Sequence, residues 1–188
     1  MKTLTTLTAL GALLTLVTPA FAQAPPPTTP GDKQFLVQTA QGSIADYANG
    51  AAAVNRATNP AVRQLGVWQM GDHDRLNISI FALSAVRGVN LPLTMTAAES
   101  SDLTTLTAKQ GMAFDRAWLQ QAIKTNKQDI QDAQKEAAAT TDPEIQPLVR
   151  GYLSTEYGHL AAARVCFLSV LSQPSPFLRR GWTRNEAG

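Results

Sequence analysis

The sequence has 188 residues, 44% of them hydrophobic and 16% charged, with a formal net charge of +2. That length holds one domain with a proper core. So small a charge, with no basic stripe interleaved with aromatics, argues against a nucleic-acid partner. The single cysteine, Cys166, excludes an internal disulfide, and its apolar helical surroundings make it a buried structural thiol.

The first 22 residues read as a signal peptide. Lys2 supplies a positive start, Leu4 to Val17 an apolar run, and Ala20-Phe21-Ala22 a cleavage site. The run is too short to span a membrane, and no cysteine follows it to carry a lipid. Export to the periplasm or beyond is therefore expected, with peripheral association at the outer membrane left open. Residues 23–31 (QAPPPTTPG from Gln23) form a Pro-rich linker. The domain proper is expected over 32–173 and a flexible tail over 174–188.

Helical periodicity governs the domain. From Asp32 to Ala57 the positions Phe35, Thr39, Gly42, Asp46, Asn49, Ala53 and Arg56 step by four and three, and their small residues suggest close helix approach. Asn59-Pro60 is an N-cap followed by an N1 proline. It opens a second helix that stops at Gly88. Thr96-Ala97-Ala98-Glu99 is a capping box for a short helix, roughly Thr96 to Lys109. Phe114 to Ala139 is the third long helix, and Asp142-Pro143 opens a fourth that runs to about Leu171. No segment alternates with period two. The expected fold is all-α: a ferritin-like antiparallel four-helix bundle with a short crossover helix between long helices 2 and 3.

Each long helix carries a polar residue near its midpoint, in line with apolar positions: Asp46, His73, Asn126 and His159. Midpoints of antiparallel helices lie at similar depth, so these side chains are placed to converge. Glu156 precedes His159 by three residues, a spacing that lets a carboxylate and an imidazole hold one metal ion. Asp46, His73, Glu156 and His159 are thus candidate ligands for iron, manganese, copper or zinc, with Asn126 adjacent. Asp72 and His73 point about 100° apart and are not expected to share an ion. On spacing alone the simpler alternative is a buried polar network in which His, Asp and Asn satisfy one another.

Phe35, Gly42-Ser43, Asp46, Gly50, Ala53, Val62, Leu65, Asp72-His73, Gly88-Val89, Leu91-Pro92, Gly111, Phe114 to Leu119, Tyr152-Leu153 and His159-Leu160 occur in an order and spacing that is fairly specific. In these residues the chain resembles the exported bacterial ferritin-like family called domain of unknown function 4142. The resemblance covers roughly Asp32 to Arg164. It implies a ferritin-like fold and a cell-envelope location, and no activity. It also implies recurrent polar positions at Asp46, His73, Asn126 and His159. The family usually has Glu in place of Asp46 and His in place of Asn126, so a metal is expected to be held weakly here or not at all; it usually has Pro in place of Ser154, which should only straighten the last helix.

No residue is nominated as catalytic. None of Ser43, Ser84 and Ser154 lies in a G-x-S-x-G elbow, and there is no phosphate loop or dinucleotide fingerprint. Asp115-Arg116 reads as structural, with the acid in a helix's first turn. A non-catalytic envelope protein is the competing function. Its contacts would be the Pro-rich leader and Phe177 to Arg184, where Trp182 stands among arginines.

Overall fold

The computed structural model describes residues 27–172. The signal peptide, residues 23–26 of the linker, and Gln173 with the tail after it lie outside the described residues. Among the described residues there are five helices and no strand: α1 (Pro30–Arg56), α2 (Pro60–Val86), α3 (Ala97–Thr107), α4 (Gly111–Ala139) and α5 (Ile145–Leu171). None is long and apolar enough to cross a membrane.

The helix ends follow local chemistry. Thr29 and Asp32 form a capping box around Pro30 at the first helical position. The helix therefore begins inside the expected linker, two residues before Asp32, because a threonine cap and an N1 proline outweigh the proline-rich composition before them. Asn59 caps α2 through its bond from the Ala61 N–H. The helix ends in a Schellman arrangement: Gly88 has φ +65°, Val89 N–H donates to Ser84 O and Gly88 N–H to Ala85 O. Thr96 and Glu99 form the expected box on α3. Two further starts differ from expectation. Gly111 (φ +58°) lets α4 begin three residues before Phe114. Regular helix in α5 begins at Ile145, two residues after Pro143, although Asp142 still accepts from the Glu144 and Ile145 N–H groups.

The four long helices pack in two tight pairs, α1 with α2 and α4 with α5, and α1 also touches α4 while α2 touches α5. Short connections make the members of each pair antiparallel. α3 lies on α1 and α4. α1 and α2 approach each other closely. A Cβ built on Gly50 would stand 2.8 Å from the Gly66 carbonyl oxygen, and one on Gly66 2.8 Å from Ala53 Cβ. The small-residue seam was visible in the sequence, but Arg56, placed on it by spacing, is exposed at the last residue of α1.

The apolar core is in two parts. One gathers Ala53, Val62, Leu65, Phe114, Trp118, Leu119, Ala163, Cys166 and Val170. The other gathers Phe35, Leu36, Ala40, Ile80, Ala133, Ile145, Val149 and Tyr152. Along every long helix the residues between them are the midpoint polar ones. Cys166 is buried and free, as expected. Asp115 is structural but not as a first-turn acid. It is buried, the fifth residue of α4, and accepts from Thr58 N (3.0 Å), Thr58 Oγ1 (2.5 Å) and Asn59 N (2.9 Å). It thereby pins the α1–α2 turn to α4.

Candidate metal centre

α1 brings Ser43 and Asp46 to the layer between the two core halves, α2 brings Gln69, Asp72 and His73, α4 brings Asn126 and Asp129, and α5 brings Tyr152, Glu156 and His159. The ligands nominated from the sequence do converge. His73 and Glu156 are each 0% exposed, Asp46 4% and His159 5%. A ring nitrogen of His73, one of His159 and a carboxylate oxygen of Glu156 lie within 4.8 Å of one another. The imidazole centroids are 5.4 Å apart, tilted by 45°.

Each histidine is held by one ring nitrogen. Ser43 Oγ lies 3.1 Å from His73 Nδ1 and donates to the His73 carbonyl at 3.3 Å. A hydroxyl has one proton, so with that proton on the carbonyl, Nδ1–H donates to Oγ and Nε2 keeps its lone pair. Asp72 Oδ2 accepts from His159 Nε2–H at 3.0 Å, which leaves Nδ1 as the ring nitrogen available to an ion. The free nitrogens, His73 Nε2 and His159 Nδ1, are buried and have no hydrogen-bond partner, and neither has Glu156 Oε1. His73 Nε2 stands 3.7 Å from Glu156 Oε1 and 3.8 Å from Asp46 Oδ2. Those separations are too long for hydrogen bonds. They are close to the spacing of about 3.4 Å between neighbouring ligands around a tetrahedral ion with bonds of about 2.1 Å.

Electrostatics agree with a site that sheds charge when it holds no cation. Burial first, then the repulsion of the His159 ring, lowers the His73 pKa to about 3, against the pull of Asp72. Burial, then the charges of Asp129 and Glu99, hold Asp46 well above the usual carboxylate range. Burial, then Asp46, Asp129 and Asp72, do the same for Glu156. Burial, with Asp132 and Glu99 nearby, pushes Asp129 up to about 7. His73 is thus neutral, so its contacts with Asp46 and Glu156 are not ion pairs. An uncompensated charge here would cost several kcal/mol.

Asn126 is in the cluster but is no ligand. With its amide oriented so that nitrogen donates, it donates to Ala122 O (3.2 Å) and to Glu156 Oε2 (3.3 Å) and accepts from Leu160 N–H (3.1 Å). It fixes the Glu156 carboxyl. Asp72, set apart from His73 by its direction, indeed faces the other histidine. Gln69 Nε2 donates to Asp46 Oδ1 at 3.3 Å. Seam spacing did not single out Ser43, Gln69 or Asp129. Ser43 lies three residues before Asp46 and Asp129 three after Asn126, so one more step along each seam reaches them.

A family model described as domain of unknown function (DUF4142) matches residues 17–165. A solved structure, a DUF305 fragment from Deinococcus radiodurans, is similar to the chain with a TM-score of 0.69 at 16% identity, covering 77% of this chain and 99% of that one. At that identity the likeness concerns the helical fold alone. No curated protein matches.

Proposed function

The chain belongs to the family domain of unknown function 4142, and we propose that its helical domain binds a transition-metal ion through His73, Glu156 and His159, with Asp46 as a further oxygen donor. One observation carries this reading. His73 Nε2, His159 Nδ1 and Glu156 Oε1 are all buried and all without a partner. A polar network in which His, Asp and Asn satisfy one another, the alternative left by spacing, would pair such atoms, because leaving a buried polar group unmade costs about 1–3 kcal/mol. The anchoring of the opposite nitrogens by Ser43 and Asp72 is the arrangement that metal-binding imidazoles need. Two nitrogens with carboxylate oxygens suit iron, manganese, copper or zinc.

The reading includes a ferritin-like four-helix arrangement and export to the periplasm or beyond. Export is supported by Lys2, the Leu4 to Val17 run and Ala20-Phe21-Ala22. No reaction is assigned. The envelope-contact function rested on the Pro-rich leader, whose last residues form the cap and first turn of α1, and on residues 177–184, which lie outside the described residues.

The test is the thermal midpoint of chelator-stripped protein titrated with iron, manganese, copper and zinc, beside His73→Ala and His159→Ala. A ligand at a hundred times its dissociation constant adds about 2.7 kcal/mol, which for a domain of this size raises the midpoint by roughly 5–10 °C. A rise in the wild type that both variants lose is the expected result. No rise with any of the four metals would make the histidines core residues and overturn the proposal.

A further inference from the structure

A second group of potential ligands adjoins the first. One carboxylate oxygen each from Asp46, Asp129 and Glu156 lies within 4.8 Å of the others, so Glu156 belongs to both groups. Three carboxylates alone would say little. Here, however, Glu156 is 0% exposed and its Oε1 has no partner. The equally buried, unpartnered His73 Nε2 stands 3.8 Å from Asp46 Oδ2, on a member of this group. Fully ionised, Asp46, Asp129 and Glu156 carry three negative charges in this layer, Asp72 being paired with Arg75 at its edge. A single divalent ion leaves one of the three uncompensated, which a second divalent ion offsets. Buried charge without compensation is strongly unfavourable.

Access also exists. A cleft of about 190 Å³ opens beside α3, with Glu99, Asp129, Asp132 and Tyr152 in its wall. Its three acids attract cations from solution, and Asp129 lies both in the cleft wall and in the carboxylate group. With Asp129 counted, every long helix contributes a donor to the layer, α4 otherwise supplying only the Asn126 amide that steadies Glu156.

Building on the mononuclear reading above, we propose that the centre is dinuclear. A second divalent cation binds Asp46, Asp129 and Glu156, shares Glu156 with the ion on His73 and His159, and enters through the acidic cleft. An all-oxygen set favours a hard cation such as Mn²⁺ at this second position, while the imidazole-containing position accepts a wider range.

The test uses Mn²⁺ alone, added to chelator-stripped protein and followed by metal analysis after desalting. The wild type is expected to retain two ions per chain and Asp129→Asn one. One ion in both proteins, or two in both, would overturn the second position while leaving the first intact. None in the wild type would overturn the dinuclear centre, while the reading it builds on is decided separately by the four-metal titration. The wild type also offers a readout that needs no variant to fold. Two Mn²⁺ ions bridged by one carboxylate lie about 3.5–4 Å apart, so electron paramagnetic resonance should show a coupled pair. A plain six-line spectrum at saturation would refute the shared Glu156.

Discussion

Gly50→Ala sets two effects of opposite sign against each other. Alanine in a helix interior is favoured over glycine by about 1 kcal/mol. The added Cβ, however, would stand 2.8 Å from the Gly66 carbonyl oxygen, 2.9 Å from Met70 Cγ and 3.1 Å from Met70 N. The methionine side chain can turn aside. The carbonyl and amide belong to the backbone of α2, so relief requires the helices to part by about 0.6 Å, from 2.8 Å to the 3.4 Å of ordinary contact. Overpacking of that kind costs about 3 kcal/mol, the upper end of its usual range. The net is a loss of about 2 kcal/mol, or a midpoint roughly 4–8 °C lower. Gly42→Ala is the control. It lies on the same helix with nothing within 4 Å of its new Cβ, so only the propensity gain remains, and its midpoint should rise by roughly 2–4 °C. Calorimetry of the three proteins decides the matter. Gly50→Ala melting at or above the wild type would show that the α1–α2 crossing is not the rigid contact described. Asp46 and His73 approach each other from these same two helices, so the variant should also hold metal less tightly.

Ser43→Ala and Asp72→Asn should keep the fold and lower metal affinity by roughly 10–100-fold, since each fixes the ring of a ligand rather than binding the ion; competition against a chelating dye measures it. Arg87→Ala should cost about 3–5 kcal/mol in urea unfolding, because the nearly buried guanidinium pairs with buried Asp142 at 2.6 Å and its loss strands that carboxylate. Burial, then the Asp32 carboxyl beside it, pushes Glu136 up to about 7 from an ordinary 4.5. The native state therefore binds the Glu136 proton more tightly than the unfolded chain. This contribution to stability is fully present below pH 4.5 and is lost as pH rises through about 7. Glu136→Gln should thus gain on the wild type between pH 5 and pH 8, and an unchanged difference in midpoint across that interval would refute the assignment.

Much of the helical frame was legible because it is written in local chemistry. Thr96 with Glu99, Asn59 before Pro60 and Gly88 act within a turn of their own positions, and each does in the structure what its residue type requires. Misplaced boundaries arose where two local signals competed. Composition made Pro30 a linker residue, while the Thr29–Asp32 box made it helical.

The sequence by itself determined that the described domain is all-helical. It also determined that Asp46, His73, Asn126 and His159 occupy inward seams at matching depth, since a period of 3.6 residues assigns a face to every position. Only the tertiary structure decided what those side chains do there. Asn126 and Asp72 changed meaning once their partners were known: the first steadies Glu156 on α5, and the second holds His159. Asp129 gained significance only from a carboxylate on α1 and another on α5. Periodicity states which way a residue points along its own helix. Whether a buried nitrogen ends with a proton, a partner or a metal depends on distances between helices, set by the close contact at Gly50 and Gly66 and by packing above and below the polar layer.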